Sequence, residues 1–171
     1  MELRERQAKR LRLDKMHYYD ESQMFAEGNA VPHGDRDFMV AAAQKMYGEL
    51  SPETKEFFDF MMENELFDVL GRKTKRAGGY MTFLPNYKSP FIFANFNGTS
   101  GDVDVITHEC GHAFQGFVTR NEEIREFTDI TMETAEIHSM SMEFFAEKWT
   151  ELFFGDRAQD YIDMHLEDYA A

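Results

Sequence analysis

Most of this chain is predicted to be helical, with one small β element near its middle. Three observations lead there. Apolar residues recur at helical spacing over several stretches, and capping residues open them. Two short runs rich in aromatic and β-branched residues flank a Pro-Asn-Tyr-Lys-Ser-Pro turn. No repeat or low-complexity linker interrupts the 171 residues, which suffice for one domain with its own core.

Residues 1–13 read as a basic helical tail, and residues 17–20 and 28–34 as irregular chain. Asp35 or Asp37 can cap a helix ending near Leu50. Ser51 then caps a new helix with Pro52 at its first position. Phe57, Phe60, Met61 and Leu70 carry its apolar spacing as far as Gly71, which stops it. Gly78 and Gly79 break the pattern, and residues 80–84 and 91–96 follow as strands. After a loop over 97–101, Ser100 or Asp102 caps a helix carrying Val105, Ile106, Ala113, Phe114 and Phe117 to near Arg120. The stretch 121–129 is acidic and polar. A helix is expected from about Ile130 to Phe154, stopped by Gly155, and a last one from near Asp156 to the end. The chain therefore divides into a helical lead-in (1–77), a β element (78–97), a helical segment with the chemistry (98–155) and a terminal helix (156–171).

Composition narrows the partners. The net charge of −14 makes nucleic acid and anionic membranes poor partners, because phosphate binding needs clustered Lys and Arg. A single cysteine, Cys110, excludes an internal disulfide and zinc-ribbon chemistry. No run is long enough to span a bilayer and the N-terminus lacks a signal-peptide core, so a reducing, cytoplasmic setting is expected.

The segment His108-Glu109-Cys110-Gly111-His112 is an HExxH motif. Residues four apart on a helix share a face, so two imidazoles can reach one zinc ion from that side. Glu109, next to the first ligand, can take a proton from the attacking water and pass it to the leaving amine. Cys110 points away from that face and reads as a small buried hydrophobe. Asp104, one turn before His108, could accept the free ring N–H of a ligand histidine. A catalytic zinc needs a third protein ligand. Gln115 and Val118 stand where the extended HExxHxxGxxH pattern would place Gly and His, so that pattern is excluded. The following helix offers Glu133, Glu136, Glu143 and Glu147, among which spacing alone does not choose. His138 lies about 200° around that helix from Glu136. The two strands could expose an edge to an extended peptide.

Residues 90–105, 108–114 and 131–145 closely resemble oligoendopeptidase F, of the thimet-oligopeptidase-like zinc peptidases, and the resemblance extends over nearly the whole chain. It implies a helical zincin-type catalytic core with a small β-hairpin or sheet, and a zinc ion held by His108, His112 and Glu136. It implies Glu109 as the general base, with Glu133 and Glu143 beside Asp104 in the surroundings of the metal. It strengthens the reading of Phe93, Ala94 and Asn95 as substrate-binding residues, and it implies short peptides as substrates. Members of this family extend several hundred residues further, and their C-terminal part supplies His and Tyr side chains to the oxyanion. This chain thus corresponds to the metal-site portion. His165 and Tyr169 are not the expected donors, and Tyr80 and Tyr87 are the nearest alternatives. Seventeen Phe residues lead to an expectation of self-association, or of association with the remaining parts of such an enzyme. Weak or absent turnover, with zinc and peptide binding retained, is the alternative expectation.

Overall fold

The computed structural model describes residues 2–170. Helix α1 (Glu2–Leu11) is pinned rather than loose. Gln7, nearly fully buried, donates to the carbonyls of Glu21 and Gln23 at 3.0 and 2.8 Å. Arg10 places a two-pronged fork on Glu167 near the chain end, at 2.7 and 3.0 Å.

Helix α2 (Arg36–Leu50) opens on Asp35, which accepts the backbone N–H groups of Asp37 and Phe38. Helix α3 (Pro52–Glu63) follows at once, through a reciprocal Ser51–Thr54 capping box. Together they form the floor beneath the central helix α4 (Gly101–Val118). Tyr47 of α2 is fully buried, stacks on Phe58 at 4.9 Å and donates to the Ile106 carbonyl at 2.9 Å. Phe57 of α3 meets Phe114 and Phe117 edge-on at 5.5 and 5.6 Å. Each such aromatic pair adds about 0.5–1.5 kcal/mol beyond area burial, so α4 is held firmly from this side.

The sheet lies against α4 and has three strands in the order β1–β3–β2. Strand β2 (Tyr80–Leu84) pairs antiparallel with β3 (Ser89–Phe96), as the turn chemistry predicts. Strand β1 (Phe67–Leu70) pairs parallel with the other edge of β3. This corrects the expected helix through Leu70, and it places part of the helical lead-in inside the β element. Helix α3 stops at Glu63, Glu65 turns the chain with a left-handed φ of 52°, and the Leu66 carbonyl accepts the Ile92 N–H at 3.0 Å. The ladder partner is remote in sequence, so local periodicity could not distinguish this strand from another helical turn.

Helix α5 (Met132–Ala146) crosses α4 at Gly111. A Cβ there would lie 2.6 Å from Ser139 Cα and 2.7 Å from the His138 carbonyl oxygen, so only glycine permits this approach. The long helix expected to Phe154 is instead α5, a single 3₁₀ turn over 147–149 and the short α6 (Glu151–Phe154). The break brings adjacent Phe153 and Phe154 both into the core. Gly155 turns the chain with a φ of 55°, and α7 (Ala158–Ala170) returns across α4 and α5. Among the described residues no helix is long and apolar enough to cross a membrane.

Candidate metal centre

Helix α4 buries Val103, Ile106, Cys110, Ala113 and Phe117, a three-and-four stripe facing the core. His108 and His112 fall on its flank, one turn apart and partly exposed. Cys110 is fully buried and faces away from them, where burial raises its thiol far above the usual range and keeps it unreactive.

The tight crossing at Gly111 places Glu136 of α5 opposite this flank. Its Oε2 lies 3.3 Å from His108 Nε2 and 4.0 Å from His112 Nε2. One donor atom from each of the three residues falls within 4.8 Å of the others. A tetrahedral zinc with bonds near 2.1 Å sets its donors roughly 3.4 Å apart. The donor chemistry, two imidazoles and one carboxylate, and the observed spacing therefore fit such an ion, and one side stays open to solvent. Ser139, fully buried, steadies the third donor by giving its hydroxyl to Glu136 Oε2 at 3.0 Å.

Glu143, two turns along the same face of α5 from Glu136, is 7% exposed and meets His108 Nδ1 at 2.5 Å. A histidine so held donates from Nδ1 and leaves Nε2 as the acceptor on the Glu136 side. The second oxygen of Glu143 accepts the Tyr169 hydroxyl at 2.7 Å and is joined to His165 Nε2. Burial alone would raise the carboxyl pKa, but the bonds from His108, His165 and Tyr169 outweigh it and hold the group at about 2. The same hydrogen bond to Glu143 raises the pKa of His108, whereas burial and the neighbouring His108 lower that of His112.

Two neighbours take places other than those expected. Asp104 does not hold a ligand histidine; its carboxylate accepts the Tyr161 hydroxyl at 2.6 Å, and burial raises its pKa although that bond opposes the shift. Its side chain is turned to α7 because that helix, not the histidine flank, covers it. Glu133 lies exposed on the first turn of α5, where its carboxyl bonds to its own backbone and to Thr131 at the helix start.

Glu109 is half-buried beside His108, below the outer edge of β2. Burial raises its pKa, while the His108 ring nearby and a hydrogen bond from the Met81 backbone N–H oppose the shift. The strand order also corrects the expected peptide-binding residues. Strand β3 is the middle strand, and Phe93 is paired with Asp68 on one side and Tyr80 on the other. Ala94 is fully buried, and the Asn95 side chain donates to the Arg76 and Gly78 carbonyls at 2.8 and 2.9 Å. Phe93 is sandwiched between the Tyr80 ring and the Lys75 ammonium. The outer edge of the sheet on the Glu109 side belongs to Tyr80–Leu84.

Sequence reasoning missed the contribution of α7. Tyr161, His165 and Tyr169 recur every four residues, a spacing that marks one helix face. It was the available signal, but nothing in the sequence pointed that face at Glu143.

Residues 43–167 match the model of Peptidase family M3. A solved structure assigned as oligoendopeptidase F is 54% identical and superposes with a TM-score of 0.95 over 98% of this chain and 30% of its own. A PZ peptidase A solved with an inhibitor is 53% identical, with a TM-score of 0.95 over 98% of this chain and 30% of its own. A protein from Bacillus anthracis str. Ames assigned as oligoendopeptidase F has the same identity and TM-score, 53% and 0.95, over 98% of this chain and 31% of its own. This chain thus spans about a third of the length of the solved structures it matches. Among curated proteins none matches.

Proposed function

The chain belongs to Peptidase family M3, and from that premise we propose that it carries the zinc centre of an oligoendopeptidase that hydrolyses short peptides. The observation that carries this reading is the convergence of His108, His112 and Glu136 within 4.8 Å, with Glu109 half-buried beside them. Those three residues would hold the zinc. When bound, zinc supplies Lewis-acid chemistry: it polarises a carbonyl and makes water nucleophilic near neutral pH.

The chain's own groups do the rest. Glu109 accepts the proton of the attacking water and hands it to the departing amine. Its raised pKa brings it closer to the neutral range, where a single group serves best in both directions. Glu143 fixes the tautomer of His108, and Ser139 fixes the rotamer of Glu136. The outer edge of β2 offers backbone groups to an extended peptide, which would seat the scissile bond above Glu109. Phe93, Ala94 and Asn95, on the middle strand, then back that edge strand from its inner side instead of pairing with the substrate.

A second reading, zinc and peptide binding with weak turnover, is favoured by one observation. The Tyr169 hydroxyl and His165 Nε2 are both committed to Glu143, so neither is free to stabilise an oxyanion, and lack of one such donor costs about 10²–10³ in rate.

The test combines metal content with hydrolysis of a quenched fluorescent peptide. One zinc per chain is expected, abolished in His112→Ala. Glu109→Gln is expected to keep the metal and lose about 10²–10⁴-fold in hydrolysis. Undiminished turnover in Glu109→Gln would move the chemistry elsewhere. Zinc binding without measurable turnover in the parent would select the second reading.

A further inference from the structure

Building on the zinc reading above, we propose that His165 and Tyr169 are positioning residues of the metal centre: by engaging one oxygen of Glu143 they hold the other on His108 Nδ1, and so keep His108 Nε2 turned toward the metal.

The argument starts from the carboxylate. Glu143 is 7% exposed, so its oxygens cannot rely on water and must find donors in the protein. It has three. Oε1 meets His108 Nδ1 at 2.5 Å, while Oε2 takes the Tyr169 hydroxyl at 2.7 Å and is joined to His165 Nε2. With both oxygens engaged, the carboxylate cannot rotate without losing a bond, and the orientation of His108 follows from it.

The two donors are themselves braced. Tyr161, His165 and Tyr169 form one face of α7. The Tyr161 ring stacks on His165 at 5.7 Å and 12°, and Phe144 stacks on Tyr169 at 5.2 Å and 29°. The Tyr161 hydroxyl is fixed on Asp104. Arg10 holds α7 elsewhere through Glu167. A mechanical chain therefore runs from α1 through α7 and Glu143 to the first histidine of the motif.

Packing alone would account for the ring stack. It does not account for two polar atoms of α7 aimed at one carboxylate oxygen. His165 also leaves Nδ1 buried without a hydrogen-bond partner, which is costly. The ring thus sits where its bond to Glu143 requires, not where both nitrogens would be satisfied.

The test measures zinc affinity by equilibrium competition with a chromogenic chelator, alongside the d–d absorption of the cobalt-substituted chain and the unfolding midpoint of the metal-free chain. Tyr169→Phe removes only a hydroxyl from a partly exposed ring. It is expected to weaken zinc binding about tenfold and to change the cobalt spectrum, with the metal-free midpoint nearly unmoved; changes to the partners of a ligand histidine cost about 10–100-fold. His165→Leu is expected near the upper end of that range, and His165→Gln, whose amide can still donate to Glu143, is expected to recover most of the loss. A merely structural role would lower the metal-free midpoint and leave affinity and spectrum alone. If His165→Leu fails to fold, Tyr169→Phe decides. Parental affinity and an unchanged cobalt spectrum in Tyr169→Phe would overturn this proposal alone. A parent chain that binds no zinc would overturn the zinc reading and this proposal together.

Discussion

The tight approach of α5 to α4 at Gly111 gives a prediction whose size can be worked out. In Gly111→Ala the new methyl would stand 2.6 Å from Ser139 Cα and 2.7 Å from the His138 carbonyl oxygen. Ordinary contact needs about 3.5–4.0 Å between carbons, so α5 must retreat by roughly 1 Å. Both opposing atoms are backbone, and no side-chain rotation can relieve them. Overpacking costs about 1–3 kcal/mol, and a backbone clash belongs at the upper end. Removing a helix-interior glycine returns about 1 kcal/mol. The net loss is about 2 kcal/mol, equivalent to roughly 4–8 °C in Tm for a chain of this size. With a urea slope near 2 kcal/mol/M it is equivalent to about 1 M in the midpoint. The same retreat carries Glu136 away from His108 and His112, so zinc affinity is expected to fall in the same variant. Urea unfolding of the metal-free chain and chelator competition read the two effects separately. Equal or greater stability in Gly111→Ala would show that the helices do not meet as described, and unchanged zinc affinity would show that Glu136 is not placed by this crossing.

Three further predictions concern other parts of the molecule. Glu136→Ala is expected to lose most zinc affinity while Glu133→Ala keeps it, as metal content by emission spectroscopy would show; the reverse pattern would reassign the third ligand. The Arg72 guanidinium, and then Lys75, hold the Asp68 carboxyl well below its usual range although burial opposes them. Because the folded-state pKa is depressed, its stabilisation is present above the unfolded value of about 3.9 and is lost as pH falls through the folded one. The Tm gap between the parent and Asp68→Asn should therefore be full at pH 6 and narrow progressively as pH falls below about 4; a gap independent of pH would refute the ion-pair reading. Finally, a groove of about 800 Å³ lined by Phe114, Val118, Ile130, Ile137, Met142 and Phe145 opens between α4 and α5. Concentration-dependent association by light scattering is expected, reduced in Phe145→Asp, and a clean monomer at high concentration would count against it.

Much of the fold could be read from local signals. Asp35, Ser51 and Pro52 place two helix starts where they occur, because capping satisfies backbone groups within a few residues. Tyr80–Leu84 has the predicted bounds because its turn is also local. The spacing of His108 and His112 puts both on one helix flank, as helix geometry requires. Other features depend on partners distant along the chain. Residues 67–70 become a strand only because β3 has a second edge to offer, which in turn places β3 in the middle and gives β2 the outer edge. Asp104 and Glu143 are both acids near a histidine in a helical plot. Which of them meets His108 depends on the crossing of α4 and α5 at Gly111 and on the return of α7. Periodicity fixes which side chains share a face, because the helical repeat is set by backbone geometry alone. Which face meets which is settled by packing, because close approach is possible only where opposing surfaces, such as Gly111 against His138 and Ser139, leave room for it.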